Sequence, residues 1–332
     1  MASAEQLKAL LRSHIDGDEA HFYSVAMQVA AHEAKVGHGK LAEELRALID
    51  LAKKSRSKDA IAHKLTPINQ PRGELSNLLE VSYPRVRLSD MILVQSIEDS
   101  LKRIIKEQRH IGKILDYGLR PRRKLLLVGP PGTGKTFTAS ALAGELGIPL
   151  FLVRLDALIT KYMGETAAKL RQVFDSVRDV RGIYFFDEFD AIGSQRGIAN
   201  DVGEIRRVLN SFLQMIEQDE SNSIIIAATN HPEILDYALF RRFDDVIEYG
   251  LPSPPQIISV LKNKLTNFSH RIKHWDTVAS KGEGLSYAEI TRAVEDTIKD
   301  AIIHDRNAIS EEEIISNLEE RKAFRSRKLI SR

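Results

Sequence analysis

The sequence predicts an α/β fold with a doubly wound parallel sheet, followed by an all-helical domain. Short apolar runs alternate with helical patterns along the middle of the chain, which is typical of strands joined by crossover helices. Each run is continuous, as expected of strands that are buried on both faces. The runs lie at residues 125–128, 150–153, 183–186 and 224–228. Helical patterns lie between them, for example at 136–146 and 167–177, and only helical patterns follow the prolines at 252–255.

Segments on either side of this region complete the predicted domain organisation. Residues 1–56 carry apolar residues at helical spacing and are predicted to form a small helical module that recognises a substrate or partner. Residues 57–87 are polar and contain prolines, which indicates a linker or an extended collar. The α/β domain is predicted to span 88–252, and a helical lid domain with a basic tail to span 253–332. We interpret that tail either as a solvated helix end or as a contact for nucleic acid or an acidic partner.

Composition excludes several classes of protein. The chain has 332 residues, of which 43% are hydrophobic and 28% are charged, an ordinary globular balance for about two domains. A net charge of +2 argues neither for nor against nucleic-acid binding, because nucleic-acid binders usually carry a concentrated basic face. The absence of cysteine excludes a disulfide scaffold and a thiolate metal site, and it fits a reducing cytosol. With no signal peptide and no apolar window long enough to span a bilayer, we expect a cytoplasmic protein without a membrane span.

A glycine-rich motif between a predicted strand and a predicted helix indicates a phosphate-binding loop. Residues 129–136, Gly-Pro-Pro-Gly-Thr-Gly-Lys-Thr, fit the pattern G-x-x-x-x-G-K-[ST] in the context that the motif requires. Backbone N–H groups and the helix N-terminus would surround the phosphates of ATP, Lys135 would reach the β- and γ-phosphates, and Thr136 would bind Mg²⁺. A glycine-rich turn without function is a remote alternative, because eight positions match. The predicted nucleotide-binding residues here are Gly129, Pro130, Pro131, Gly132, Thr133, Gly134, Lys135, Thr136 and Phe137.

Polar residues follow two further predicted strands. Asp187 and Glu188 end the apolar run at 183–186, and ligand chemistry in such sheets lies at the carboxyl ends of the strands. Asp187 is predicted to hold Mg²⁺ through water, and Glu188 to polarise the attacking water. Asn230 follows the next run and is predicted to orient that water or to contact the γ-phosphate. A solvated acidic loop and a loop-capping asparagine are the alternatives for isolated residues of these types.

These motifs resemble the AAA ATPase family in its single-ring members, over about residues 88–300. The resemblance is carried by the phosphate-binding loop and by the segments LSDMI, YGLRP and LDYALFRRFD, at 88–92, 117–121 and 235–244. It implies backbone contacts with adenine at Met91 and Ile92, and a further contact at Ala288 in a turn of the lid domain. The family often has glycine where this chain has Tyr287, a departure that bears on the last contact.

A pair of arginines resembles the family's residues that act between subunits of its ring. Arg241 and Arg242 match the family's arginines that project into the nucleotide site of the neighbouring subunit, where guanidinium stabilises charge on the transferred phosphoryl group. An arginine supplied by a second subunit implies the family's closed ring of six copies. The alternative is that both arginines pair with surface acids such as Asp244 or Asp245. Arg292 is interpreted equally as a second sensor of the γ-phosphate or as an exposed helix arginine.

A short aromatic segment after the second predicted strand resembles the family's substrate-gripping pore loop. It comprises Lys161, Tyr162, Met163 and Gly164. A ring of tyrosines would clamp an extended polypeptide without reading its sequence, because aromatic rings give large apolar contact at low conformational cost. The alternative is that Tyr162 and Met163 pack on the core of their own subunit.

The leading hypothesis is therefore an ATPase motor that remodels or unfolds a protein substrate. Its partners would be other copies of itself, the protein substrate and, since no zinc-protease or serine-hydrolase motif occurs, a separate protease. Some small bacterial members with a helical N-terminal module are paired with a subtilisin-like protease in toxin–antitoxin or phage-defence pairs, which makes such a pair one hypothesis. A chaperone that remodels a metabolic or membrane-associated complex is another. A DNA-directed loader or transposition helper and a nucleotide-dependent switch are further alternatives, but the intact Glu188 argues against a pure switch.

Overall fold

A computed structural model describes most of the chain, in two compact units, Met1–Asn69 and Gln70–Arg332. The described backbone comprises residues 25–27, 29–30, 38, 42–46, 71, 73–158, 163–189, 202–234 and 240–330. In the first unit, residues 25–27, 29–30 and 42–46 are helical, and buried side chains occur at Val25, Val29, Ala30 and Ala42. Most of the helical module predicted for residues 1–56 lies outside the described residues, so the module stays a prediction.

The described strands of the second unit form one sheet. They are β1 (Leu79–Ser82), β2 (Lys124–Val128), β3 (Leu150–Val153), β4 (Ile183–Phe186), β5 (Ile224–Thr229) and β6 (Asp245–Glu248). Their order across the sheet is β1-β3-β4-β5-β2-β6, with β1 antiparallel to β3 and all other neighbours parallel. This is the predicted α/β fold with a largely parallel sheet.

The register of the central strands brings their ends together. Val128 of β2 lies opposite Thr229 of β5, and Phe186 of β4 lies opposite Ala227 of β5. Residues that follow β2, β4 and β5 therefore lie side by side at one edge, which we call the carboxyl edge. The opposite edge, where β2, β5 and β6 begin, is called the amino edge.

Helices cover both faces of the sheet. In the second unit the described helices are α1 (Leu75–Leu78), α2 (Gln95–Arg109), α3 (Ile111–Asp116), α4 (Lys135–Leu146), α5 (Leu155–Leu158), α6 (Met163–Asp179), α7 (Val202–Gln218), α8 (Pro254–Leu265), α9 (Trp275–Gly282), α10 (Tyr287–Ile303) and α11 (Glu311–Ile330), with 3₁₀ turns at Leu88–Asp90 and Pro232–Ile234. Apolar residues of α6 and α7 form a core with one face of the sheet, and those of α2 and α4 form a core with the other. Successive strand residues alternate between these cores, as Leu126 and Leu127 do, which explains why the central strands read as unbroken apolar runs.

The C-terminal helices α8–α11 have a core of their own. It includes Leu261 of α8, Val278 of α9, Val294 of α10 and Leu318 of α11, all fully buried. Helix α10 begins with a capping box, in which Ser286 and Glu289 exchange hydrogen bonds, as expected for an S-x-x-E sequence before an apolar run. Within the described part of the chain, no helix is both long and apolar enough to cross a membrane.

The structure differs from the sequence-based expectation in three places. Residues 75–82, expected within a linker, form α1 and the edge strand β1. Strand β6 was not predicted, because its Asp-Val-Ile-Glu sequence has charged ends and no apolar run. Met163 and Gly164, expected in a pore loop, belong to the first turn of α6, because the helical pattern begins earlier than position 167. The other predicted pore-loop residues, Lys161 and Tyr162, lie outside the described residues.

Candidate active site

The phosphate-binding loop joins β2 to α4 and is shaped by close contacts at its glycines. A Cβ atom at Gly129 would lie 2.2 Å from the carbonyl oxygen of Tyr249, and one at Gly132 would lie 2.7 Å from Ser286 Oγ. Both glycines also have positive φ, 147° and 77° respectively. The Thr133 hydroxyl donates to the Pro130 carbonyl at 2.8 Å, which closes the turn on itself. The loop therefore has a fixed shape that other residues at these two positions would disturb.

Lys135, the first residue of α4, is 6% exposed and lies at the centre of the site. Its Nζ donates to the carbonyl oxygens of Gly129 at 2.6 Å and Pro130 at 3.0 Å. It also donates to Asn230 Oδ1 at 2.7 Å, across the end of β5. These hydrogen bonds hold the ammonium group at the carboxyl edge, beside the ends of β2 and β5. Such a group is suited to an anionic ligand.

A hydroxyl and a carboxylate meet beside this lysine. Thr136 Oγ1 donates to Asp187 Oδ2 at 2.8 Å, which joins α4 to the end of β4. The other carboxylate oxygen, Oδ1, accepts from the Glu188 backbone N–H at 2.9 Å. Glu188 has an exposed side chain and a φ of 49°, a left-handed conformation that is uncommon for residues other than glycine. The structure thus brings Lys135, Thr136, Asp187 and Asn230 together, with Glu188 at the rim.

A cavity of about 960 Å³ opens onto these residues, a volume that suits a nucleotide-sized ligand. Its wall includes the predicted adenine contacts Met91, Ile92 and Ala288. Phe137, also predicted to bind the nucleotide, lines the cavity as well and is 42% exposed. Site residues predicted from separate motifs therefore share one cavity.

The lid domain contributes cavity residues that the sequence did not indicate. Val260, Asn263 and Lys264 on one side of α8 line the cavity, as does Thr291 of α10. No motif identifies them, because helical spacing alone cannot tell which face of α8 would meet a ligand. The one available signal is that residues 260, 263 and 264 share a helix face, at i, i+3 and i+4.

The sequence left the roles of Tyr287 and Arg292 open, and the structure places only the first of them at the cavity. Tyr287 lines the cavity, and partial burial raises the pKa of its phenol. Arg292 is exposed and is absent from the described lining of the cavity, which favours the interpretation as an exposed helix arginine. The departure at Tyr287 therefore places an aromatic ring at the nucleotide cavity.

The paired arginines lie at the amino edge, away from this cavity. They precede β6, whose first residue Asp245 is in register with Leu125 of β2. Arg241 is exposed, and Arg242 Nε lies 3.2 Å from Glu217 Oε1 at the end of α7. Asp244, one of the acids considered as a partner, instead accepts the backbone N–H groups of residues 123 and 124 at 2.8 and 2.9 Å.

Comparison with known proteins agrees with these features. The family described as "ATPase family associated with various cellular activities (AAA)" matches residues 125–251, from β2 to just beyond β6. The uncharacterized AAA family ATPase y4kL of Sinorhizobium fredii is 36% identical over 312 residues, which cover 94% of this chain and 93% of that protein. The chain belongs to the AAA family of ATPases. As an AAA ATPase, it binds nucleotide and is an ATP hydrolase.

Other relatives of this AAA ATPase are longer proteins that share its ATPase region. The ATP-dependent zinc metalloprotease FtsH 1 of a Thermoanaerobacter species is 39% identical over 175 residues, covering 51% of this chain and 29% of that protein. The ATPase family protein 2 homolog of Caenorhabditis elegans is 31% identical over 280 residues, covering 81% of this chain and 38% of that protein. The chain therefore spans well under half the length of these two relatives.

Proposed function

We propose that this AAA ATPase couples hydrolysis of ATP to the remodelling or unfolding of a protein substrate in the pore of a ring. The observation that carries the proposal is the separation of the proposed catalytic groups between the two edges of the sheet. Lys135, Asp187 and Asn230 lie at the carboxyl edge, and the arginine pair lies at the amino edge. A complete hydrolytic site then forms where the amino edge of one copy meets the carboxyl edge of the next.

In this proposal, the phosphate-binding loop binds ATP. Lys135 is the cation for the β- and γ-phosphates, and its hydrogen bonds to Gly129 and Asn230 hold it in place before the ligand arrives. Thr136 and Asp187 fit Mg²⁺, because a hydroxyl and a carboxylate oxygen 2.8 Å apart are the hard oxygen ligands that this ion prefers. Mg²⁺, when bound, neutralises charge on the phosphates.

Glu188 is the general base of the proposed reaction. Its carboxylate is exposed at the rim of the cavity, next to Asp187, where it can accept a proton from the attacking water. The backbone at this residue is left-handed, and such conformations concentrate at functional sites. Asn230 at the end of β5 orients the water or contacts the γ-phosphate.

The arginine pair serves a neighbouring copy. Strand β2 separates it from the phosphate-binding loop of its own chain by roughly 13 Å of extended backbone. Arg241 and Arg242 therefore cannot reach their own γ-phosphate without dismantling β6. A closed ring of six copies would satisfy every site.

A protein substrate is favoured over nucleic acid. Relatives that share the ATPase region are named ATP-dependent zinc metalloproteases, and proteases act on proteins. The aromatic segment at Tyr162 provides a sequence-independent grip, and α6 begins immediately after it, at Met163. Two residues of the basic tail, Arg321 and Arg325, meet partners within the lid domain, which weakens the case for a contact with nucleic acid.

Any proteolysis belongs to a separate protein in this proposal. The sequence has no H-E-x-x-H zinc motif and no G-x-S-x-G turn, so the chain lacks the catalytic residues that either motif supplies. A protease partner in a toxin–antitoxin or phage-defence pair, as in some small bacterial AAA ATPases, fits this division of labour. The alternative is a chaperone that acts without a protease.

The test is capture of the client by a variant that binds ATP but does not hydrolyse it. Glu188→Gln is incubated with ATP in cell extract, in parallel with the double variant Glu188→Gln/Tyr162→Ala, and retained molecules are identified by mass spectrometry. The proposal predicts a protein that is retained only when Tyr162 is intact. Retention of nucleic acid, or of a partner indifferent to Tyr162, would move the assignment to a DNA-directed protein or a switch. Hydrolysis of ATP by Glu188→Gln at the wild-type rate would refute the role of Glu188.

A further inference from the structure

The first turn of α10 is a contact between the lid domain and the phosphate-binding loop. The Ala288 backbone N–H donates to the Gly132 carbonyl at 3.1 Å. Ser286 Oγ lies so close to Gly132 that a Cβ atom there would approach it to 2.7 Å. Tyr287, between these residues, lines the nucleotide cavity. The position of this turn therefore affects both the loop and the cavity wall.

A carboxylate holds the turn in place. Glu289 Oε2 accepts from the Ser286 backbone N–H at 2.7 Å and from the Ser286 hydroxyl at 2.8 Å. Ser286 is 3% exposed and the Glu289 side chain 29% exposed, so these hydrogen bonds are partly shielded from water. Glu289 thus acts on the phosphate-binding loop through Ser286, and it is not among the described residues that line the nucleotide cavity.

An arginine of the last helix, α11, joins this arrangement from the other side. Arg325 Nη1 donates to the carbonyl oxygen of Gly284, just before the turn, and lies 3.6 Å from Glu289 Oε2, just after it. Gly284 has a φ of 84°, which marks it as the point where the chain reverses. One guanidinium group therefore bridges the two ends of the segment 284–289.

The neighbouring arginine on α11 provides a contrast. Arg321, one helical turn earlier, pairs with Asp296 of α10. Asp296 is ten residues beyond Ser286, or roughly 15 Å along the helix. Arg321 thus fastens α11 to the middle of α10, whereas Arg325 fastens it to the turn that touches the phosphate-binding loop.

We propose that Arg325 is a positioning residue for nucleotide binding. By bridging Gly284 and Glu289 it holds Ser286 and Ala288 against the phosphate-binding loop and keeps Tyr287 at the cavity wall. Since coupling between two sites is reciprocal, bound nucleotide in turn stabilises the docking of the end of α11. The inference rests on the proposed function in one respect, that ATP binds in this cavity.

The experiment compares Arg325→Gln with Arg321→Gln, matched changes one turn apart on the same helix. Affinity is measured by titration with a fluorescent ATP analogue, and turnover by steady-state kinetics. For Arg325→Gln we expect Kd and KM to rise roughly 3- to 10-fold with kcat within twofold of wild type, the range for a partly exposed ion pair with a hydrogen bond. Arg321→Gln should keep Kd within twofold. Arg325→Lys, which retains the charge, should recover part of the affinity.

Hydrogen exchange supplies a measurement that does not depend on any variant folding. In the wild type, amides of residues 284–289 and of the last turns of α11 should exchange more slowly when the analogue is bound. An unchanged Kd in Arg325→Gln, or an equal rise in Arg321→Gln, would overturn the inference, as would exchange at α11 that ignores nucleotide. Failure of the wild-type protein to bind the analogue would instead contradict the proposed function.

Discussion

The two edges of the sheet use their charged groups differently. At the carboxyl edge, Lys135 is held by neutral oxygens beside a cavity of about 960 Å³. At the amino edge, basic residues just before β2 face carboxylates of the same chain: Arg120 with Glu220, Arg122 with Glu107, and Arg123 with Asp219. The ion pairs at the amino edge support the fold, whereas Lys135 at the carboxyl edge lies beside a cavity that can receive a ligand.

The amino edge also provides a base for the arginine pair. Arg123 and Asp219 form an ion pair with side chains 6% and 0% exposed, and Ser221 Oγ donates to the same carboxylate at 3.1 Å. This pair fastens the start of β2 to the segment after α7. The last turn of α7 carries Glu217, which contacts Arg242 at 3.2 Å. The Arg123–Asp219 pair therefore fixes the end of α7, and this end of α7 holds Arg242 through Glu217.

The largest expected effect concerns the contact between the amino edge of one copy and the carboxyl edge of the next. We expect Arg241→Ala/Arg242→Ala to lower ATP turnover roughly 10³-fold, because an arginine that stabilises the transition state contributes 10³ or more. Mixing this variant with Glu188→Gln should restore activity, since each variant supplies the edge that the other lacks. With random mixing, about a quarter of the sites would be complete. Mixtures as inactive as their components would show that the edges do not meet in this way.

The second test removes the lysine of the phosphate-binding loop at the carboxyl edge. Lys135→Met should lower turnover roughly 10²- to 10³-fold by removing a preorganised donor to the phosphates. Arg120→Gln is the matched control at the amino edge, because its pair with Glu220 is exposed and worth at most about 1 kcal/mol. Turnover and thermal unfolding are measured for both. If Arg120→Gln lost as much turnover as Lys135→Met, the claim that the charges of the two edges have different roles would be wrong.

The third test removes a matched charge at the amino edge. Asp219→Asn leaves Arg123 buried without its counter-charge, which should lower the free energy of unfolding by about 3–5 kcal/mol. Urea denaturation measures that loss, and turnover of the folded fraction at low temperature should stay within twofold. The double variant Arg123→Met/Asp219→Leu should regain much of the stability. A single variant with full stability and impaired catalysis would assign the pair to the reaction instead.

The central strands were predicted from the sequence because burial on both faces leaves an unbroken apolar run. Strands β2, β3, β4 and β5 all have this character, and each was predicted within one or two residues. The outer strands β1 and β6 alternate with charged or exposed residues, so neither produces such a run. Position at the margin of a sheet is a property of the tertiary fold, which local patterns do not record.

The candidate site shows the same limit. Lys135, Thr136 and Asp187 follow strands in recognisable motifs, and the parallel register then brings them together. Asn263 of α8 and Arg325 of α11 belong to helices that dock from elsewhere in the chain. Their relevance depends on which helix face meets the loop, and that is decided by packing rather than by a motif.

The smallest predicted effect concerns a residue at the carboxyl edge whose role is structural. Tyr249 follows β6, and its buried phenol exchanges a 2.7 Å hydrogen bond with Thr138 of α4. Burial raises the pKa of Tyr249 to about 12, above the value near 10 of an unfolded tyrosine. Its contribution to stability is therefore complete below about pH 10 and is lost as pH rises toward about 12, because the unfolded chain releases the proton first.

Tyr249→Phe should accordingly lose less stability than wild type between about pH 9 and pH 11, as measured by urea denaturation at both values. Tyr184, whose pKa burial also raises to about 12, lies on β4 and gives the matched variant Tyr184→Phe. Turnover of Tyr249→Phe near neutral pH should stay within about twofold, because the phenol stays neutral there and phenylalanine preserves the packing against Gly129. A large loss of turnover with an unchanged pH dependence would show that the Tyr249 hydroxyl, which lies near the phosphate-binding loop, serves the reaction rather than the stability of the fold.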